Sequence, residues 1–372
     1  MEIVIYCIAL IVLYYCLHIG LLIYGLTRVP SYTYSITNNL NKFSIVIPFK
    51  NEANNLEDLL HSIANLNFDK LNFEIILVND ASTDSSTSIV NNWRFKNPYV
   101  QLTILDNVVV SNSSKKDAIS RAIHIAKFDW IITTDADCIL PENFLQCYSS
   151  FITNFPDKQF LIGGVFIANK SNFLVQYQVL DIATLQAVTR ASYGIDEPFM
   201  CNGANLAFTK KIFKEVKGYS DVNHIASGDD VFLLQKVLEY NKDVIAYILN
   251  EDCIVETKPV NSWLSLISQR ARWGGKSVAY KALYPKILGV FTILTNLSFF
   301  VLSFCLIYHH YVFICFGIIL VKFIFDLILL ILFSKNYKKI PLIYFPVAFV
   351  IYPIIIFLTL LRLVSTKNNW KK

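Results

Sequence analysis

The sequence predicts an α/β domain with a mostly parallel sheet, set between one amino-terminal and about three carboxy-terminal membrane helices. Three observations carry this reading. Hydrophobic residues make up 54% of the 372-residue chain and charged residues only 16%, against roughly 45–50% and about 25% in an ordinary soluble domain. The apolar excess sits at the two ends, and between them strand and helix patterns alternate. This composition excludes an intrinsically disordered chain, a collagen-like rod and a secreted disulfide scaffold.

The first element is an apolar run over residues 3–26, interrupted only by aromatics, cysteines, His18 and glycines. At about 24 residues it can cross a hydrocarbon core of roughly 30 Å as a helix. It has neither a basic leader nor a small-residue cleavage site, so it reads as an uncleaved anchor. Residues 287–308, 311–333 and 340–364 give three further spans. Arg28 and Lys42 precede the central stretch, and Lys276, Lys281 and Lys286 follow it, which places that stretch in the cytoplasm by the positive-inside rule. A hairpin of the second and third spans turning at His309-His310 puts Lys335, Lys338 and Lys339 on the same side. A complete fourth span would carry Lys367, Lys371 and Lys372 across, against the rule. Pro341, Pro346 and Pro353 offer the alternative of a re-entrant or interfacial element. Lys322 and Asp326 lie within the third span. Charges there are costly and mark function by default, so the two read either as a self-neutralising structural pair or as part of an acceptor path.

In the central stretch, residues 43–49, 73–78, 100–105 and 130–134 are β-rich runs. Helical patterns at 54–65, 85–95 and 114–126 separate them. Asn54, with Glu57 three residues on, resembles a capping box. Buried apolar strands alternating with helices imply a sheet covered on both faces. Ligands of such sheets bind outside the carboxyl ends of the strands. The polar residues fall there: Asn51 and Glu52 after the first strand, Asn79 and Asp80 at the second, and Asp135-Ala136-Asp137 at the fourth. Eight cysteines contain no C-x-x-C pair, which fits a reducing compartment and argues against a zinc site or a disulfide framework. The net charge of +5 is modest and mostly juxtamembrane, and no aromatic-interleaved basic patch suggests nucleic acid.

Two closely spaced carboxylates at a strand end suit a hard divalent cation, Mg²⁺ or Mn²⁺, which takes oxygen ligands from one or two carboxylates plus substrate phosphates. The chain has no G-x-x-x-x-G-K-[ST] loop and no G-x-G-x-x-G after the first strand. A metal-bridged nucleoside diphosphate is therefore the ligand class that remains. Lys115 and Lys116, at a helix start, can add cationic contact to its phosphates.

Five motifs appear in order: Pro48-Phe-Lys-Asn-Glu52, Val78-Asn-Asp-Ala-Ser-Thr-Asp84, Thr134-Asp-Ala-Asp137, Ser227-Gly-Asp-Asp230 and Gln269-Arg-Ala-Arg-Trp273. With the apolar ends, they resemble the membrane-bound family 2 glycosyltransferases, in the branch of cellulose, hyaluronan, chitin and poly-N-acetylglucosamine synthases. Ceramide glucosyltransferase shares the late motif. The match runs from residue 43 to about 276 and implies a GT-A, Rossmann-like nucleotide-diphospho-sugar transferase domain. By this resemblance, Pro48, Asn51, Glu52, Asp80, Lys115 and Asp135 bind the donor, with Asp80 on its base and Lys115 near its diphosphate. Asp137 ligates the divalent cation and Asp230 is the general base. Gly203, Asp229, Gln269, Arg272 and Trp273 close over the diphosphate and line the acceptor site, Gly203 within an Asn202-Gly-Ala-Asn205 stretch. The chain departs from the family at Asn79, where a second acid is usual, and at Lys50, where an aromatic or Arg often stands.

Gln269, Arg272 and Trp273 at i, i+3 and i+4 project from one side of a helix, which fits an interfacial helix before the second span. The expected organisation is an anchor at 1–28, the cytoplasmic transferase domain at 38–262, the interfacial helix at 263–286, membrane segments at 287–364 and a basic tail at 365–372. The expected activity is inverting, metal-dependent sugar transfer from a nucleotide sugar, UDP-linked, to a lipid or polysaccharide acceptor. It takes place at the cytoplasmic face of the cell (inner) membrane, with export partners if the product is exported. The alternative is a catalytically inactive membrane scaffold or sensor that binds nucleotide sugar.

Overall fold

The computed structural model describes residues 2–34, 41–168, 172–277, 279–306, 311–337 and 340–367. The expected turn at His309-His310, Lys338 and Lys339, and Lys371 and Lys372 of the basic tail lie outside the described residues. In chain order the elements are α1 (Glu2–Arg28), β1 (Phe43–Phe49), α2 (Leu56–Ala64), β2 (Phe73–Asn79), α3 (Ser86–Lys96), β3 (Leu102–Asp106), α4 (Ser114–Ile125), β4 (Trp130–Thr133), β5 (Cys138–Ile139) and α5 (Phe144–Asn154). They continue with β6 (Phe160–Ile162), β7 (Val165–Ile167), α6 (Phe173–Gly194), β8 (Leu206–Thr209), α7 (Lys210–Glu215), α8 (Asp229–Tyr240), β9 (Ile245–Tyr247) and β10 (Val255–Thr257). The last are α9 (Trp263–Ser277), α10 (Leu283–Cys305), α11 (Val312–Ser334) and α12 (Phe345–Lys367). The chain forms two compact units, one of Pro30–Ala168 with Met200–Lys258 and one of Met1–Val29, Asn169–Phe199 and Pro259–Lys372. Helix α6 groups with the second.

In the first unit a seven-stranded sheet has the order β3-β2-β1-β4-β8-β6-β9. Strands β3, β2, β1 and β4 run parallel, as their continuous apolar runs require. The sheet is mostly parallel, as expected, with one exception: β8 runs antiparallel to both β4 and β6, while β6 and β9 pair in parallel. Strands β6, β8 and β9 are three or four residues long, too short to leave a periodic signal. A second, three-stranded sheet has the order β5-β10-β7. The core gathers Phe43, Ile45 and Ile47 of β1, Ile75 and Leu77 of β2, and Leu56, Leu59, Leu60 and Ile63 of α2. Helix α2 begins two residues later than its pattern suggests. Its cap position is Asn55, not Asn54, and the Asn55 side chain donates to Glu52 Oε2 at 2.6 Å instead of capping.

The cysteines also depart from expectation at one place. Cys147 of α5 and Cys253, 106 residues apart in sequence, are joined as a disulfide. Both are fully buried in the core, and the pairing comes from tertiary packing that no local spacing announces.

Among the described residues, the second unit contains four helical segments long and apolar enough to cross a membrane: Glu2–Arg28, Leu283–Cys305, Val312–Ser334 and Leu342–Ser365. The last continues through Pro353; Pro346 falls in its first turn, where a missing N–H leaves no helical bond unmade. The Lys322 ammonium donates to Asp326 Oδ2 at 2.7 Å, and Tyr15 of α1 donates to Asp326 Oδ1 at 2.8 Å. The Lys322 Nζ also lies 4.5 Å from the ring centroid of Phe349 on α12. The charged pair thus neutralises itself on α11 while touching α1 and α12.

Helices α1 and α6 meet through glycine. A Cβ on Gly194 would collide with the carbonyl of Gly25, and one on Gly25 with the carbonyl of Ala191. Small residues at such crossings let backbones approach closely. Gly194→Val is therefore expected to destabilise the protein by about 1–3 kcal/mol or more through overpacking, read as a lower Tm of the detergent-solubilised full chain. An unchanged Tm would show that α1 and α6 do not meet there.

Candidate active site

The register sets the strand ends. Phe49 pairs with Asn79 and Asn79 with Asp106, so β1, β2 and β3 finish level. Strand β4 ends at Thr133, opposite Val46, and the chain then runs past the end of β1 through Asp135 and Asp137. A cleft of about 290 Å³ opens at this edge, lined by Pro48, Lys50, Glu52, Asp80, Lys115, Asp135 and Asp137 among others. Six residues expected to serve the donor or the metal thus share one concavity.

Asp80 is held from two sides. Asn107 Nδ2 donates to its Oδ1 at 2.8 Å, and Lys50 Nζ lies 3.8 Å from its Oδ2. Sequence reasoning missed Asn107, although it follows β3 directly at the edge where the other polar residues were sought. Asn79, at the position where the family has an acid, is used by the turn: its Oδ1 accepts from Ser82 N–H and its Nδ2 donates to Asp106. Asn51 is exposed, with φ at 56°, and its Oδ1 accepts from Thr83 N–H at 2.8 Å. It is not among the cleft-lining residues; it fastens the β1 loop to the β2 loop. Asp84, fully exposed, is held below the ordinary carboxylate range by its hydrogen bonds to Ser86, assisted by the Ala53 N–H.

The acids at the centre are crowded. Burial pushes the Asp137 carboxyl up, and the neighbouring Asp135 charge pushes it further, against the hydrogen bond from Thr257 Oγ1 at 3.1 Å. Glu52 is also raised, by burial first and then by the charges of Asp137, Asp135 and Asp84, while the bond from Asn55 opposes the shift. Lys115 answers part of this charge. Its Nζ donates to Asp135 Oδ1 at 2.7 Å and lies 3.4 Å from Asp229 Oδ2. Burial alone would lower the Lys115 ammonium, but the Asp135 and Asp229 carboxylates outweigh it and hold it firmly protonated. Lys116, expected beside Lys115 as a second phosphate contact, turns away and is almost fully buried. Its ammonium donates to the carbonyls of Val222 and Ile225.

Asp229 and Asp230 open α8. Gly228 before them takes φ 82°, a left-handed conformation that glycine adopts without a steric penalty. Asp230 Oδ2 accepts from the Gly203 N–H at 3.2 Å, and its Oδ1 from the Val231 N–H at 2.8 Å. A Cβ on Gly203 would come within 3.0 Å of Asp229 Oδ2, so the glycine leaves room for the acid pair. Asn205, in the same stretch, is committed to the core through Tyr148, Gly164 and Cys253. Gln269, Arg272 and Trp273 stand on α9 in the other unit, Arg272 exposed and the other two half-buried.

Among the described residues no group of three or more His, Cys, Asp or Glu side chains could hold a metal by itself. The crowded Asp135–Asp137 pair nevertheless fits a divalent cation whose remaining ligands come from a bound diphosphate, the usual arrangement for Mg²⁺.

Residues 44–216 match the family model described as glycosyl transferase family 2. The chain is 25% identical over 252 residues to a poly-β-1,6-N-acetyl-D-glucosamine synthase of Staphylococcus epidermidis, covering 66% of this chain and 57% of that protein. It is 24% identical over 162 residues to the synthase of the same name in Staphylococcus aureus, covering 44% of this chain and 37% of that protein. The chain thus spans 57% and 37% of the lengths of these two curated relatives. Among solved structures it is similar to a mannosyltransferase of Pyrobaculum calidifontis in complex with GDP-Man and Mn²⁺, with a TM-score of 0.57 and 14% identity over 99% of both chains. That likeness establishes the fold. With this mixed sheet, these strand-end acids and this match, residues 44–216 form a glycosyl transferase family 2 domain with a GT-A fold, and the described residues include four apolar helices of membrane-spanning length.

Proposed function

We propose that the chain transfers a sugar, with inversion, from a nucleotide-sugar donor to a lipid or growing polysaccharide at the cytoplasmic face of the cell membrane. The observation that carries this reading is the strand-end cleft in which Asp80, Lys115, Asp135 and Asp137 converge, with Lys115 reaching on to Asp229. Asp80 accepts a hydrogen bond from the donor base, its carboxylate held in place by Asn107. Lys115 exchanges its carboxylate partners for the diphosphate. A divalent cation held by Asp137, with Asp135 beside it, supplies charge neutralisation to the leaving group when bound. Asp230 takes the proton of the acceptor hydroxyl as that oxygen attacks the anomeric carbon from the face opposite the diphosphate. Its second oxygen stays on the Gly203 N–H, which fixes the carboxylate plane. Gln269, Arg272 and Trp273 serve the diphosphate and acceptor by their motif.

The synthases named above support a polysaccharide acceptor and an N-acetylglucosamine donor. The Pyrobaculum complex with GDP-Man and Mn²⁺ supports a divalent cation and keeps guanine donors in the test. The purified full chain is incubated with a panel of UDP- and GDP-linked sugars, with and without Mg²⁺ or Mn²⁺, and released nucleotide is measured. Cation-dependent release with one donor is expected. Nucleotide binding without release from any donor would overturn transfer and favour the scaffold reading. With the active donor, Asp80→Ala is expected to raise KM by about 10-fold to 100-fold, the value of a buried charged hydrogen bond, with kcat little changed. A fixed KM with collapsed kcat would remove Asp80 from base recognition.

A further inference from the structure

Within Gln269-Arg-Ala-Arg-Trp273, the resemblance names Gln269, Arg272 and Trp273 and passes over Arg270, yet Arg270 is the best connected of the five. Arg270 Nε donates to Asp181 Oδ2 on α6 at 2.6 Å, and its Nη2 pairs with the same oxygen. Its Nη1 donates to Gln269 Oε1 at 3.0 Å. Its guanidinium carbon lies 4.2 Å from the ring centroid of Trp273. The two charged side chains are only 12% and 8% exposed. Arg272, the arginine the resemblance names, is exposed instead.

This geometry uses what distinguishes a guanidinium from an ammonium. It is planar, carries donors at fixed directions and stacks on aromatic faces. Asp181 fixes one edge of the plane, and the fixed plane then leaves a third nitrogen for Gln269 and a face for Trp273. We infer that Arg270, clamped by Asp181, is a positioning residue that sets the side-chain orientation of Gln269 and Trp273, and through them the engagement of the donor. The inference rests on the proposed role of Gln269, Arg272 and Trp273 in donor handling. A buried ion pair joining two helices also has a purely structural use, and the test must separate the two.

Three forms of the full chain do so: Arg270→Lys, Asp181→Asn, and the double exchange Asp181→Arg with Arg270→Asp. The exchange can restore the charge pair between α6 and α9, but an aspartate at 270 can neither donate to Gln269 nor stack on Trp273. If Arg270 positions the motif, the double exchange recovers Tm relative to Asp181→Asn while donor KM stays raised. Arg270→Lys then folds with a donor KM raised by about 10-fold to 100-fold, as small misplacements of substrate-positioning groups produce. The chain has five tryptophans, so labelling with 5-fluorotryptophan gives five resonances, with Trp273 assigned by Trp273→Phe. In Arg270→Lys the Trp273 signal should move further than the other four. A wild-type KM in the lysine form, or KM recovered by the double exchange, would reduce the pair to a helix staple. So would an unmoved Trp273 signal, which judges the inference even if no donor is turned over and the transfer reading itself fails.

Discussion

Asp137→Ala is expected to lower cation-dependent transfer by about 10²-fold or more, the equivalent of the several kcal/mol that a metal contributes at a developing charge. The loss should occur without loss of fold. Burial and Asp135 raise the Asp137 carboxyl in the folded chain. A carboxylate whose folded pKa lies above its unfolded value favours folding when protonated, and that contribution fades as pH rises through the folded pKa. At neutral pH, without metal, ionised Asp137 therefore opposes folding, and its replacement should leave Tm unchanged or higher despite the lost bond from Thr257. Transfer is measured against added Mn²⁺ or a chelator, and Tm is taken on the same metal-free samples. Transfer that survives both the alanine and the chelator would sink the metal assignment.

Asp230→Asn should fold, insert and bind the nucleoside diphosphate nearly as the wild type does, while transfer falls by roughly 10²-fold to 10⁴-fold. The structure explains why the two effects separate. The asparagine oxygen can still accept from the Gly203 N–H, which Asp230 Oδ2 does at 3.2 Å, and Asp230 is the second residue of α8, past the Gly228 cap position, so the helix start does not depend on it for capping. What it lacks is basicity. The acid stands in the first turn of α8, where the positive end of the helix dipole favours the ionised form. Donor binding and sugar transfer measured on one purified preparation decide the matter. Wild-type transfer by the asparagine form would reject Asp230 as the base and leave it a structural role in the first turn of α8.

The sequence by itself determined the features that repeat or that stop a repeat. Four apolar runs became four helices of spanning length because hydrophobicity over about 20 residues is a local property. The runs ending near Phe49, Asn79 and Thr133 became parallel neighbours, and the acids just beyond them face one cleft, because a parallel sheet puts every strand's carboxyl end on one edge. The roles within that cleft needed the tertiary structure. Asn51, expected at the donor, fastens two loops, and Asn79, where a second acid is usual, holds a turn; Lys115 and Lys116 looked alike and point to an acid pair and to loop carbonyls. Asn107 comes to Asp80, Thr257 to Asp137 and Cys253 to Cys147 from distant segments. A single hydrogen bond or disulfide between loops leaves no period in the chain. It forms only once the core has fixed where the loops meet, and packing alone decides which side chain then finds a partner.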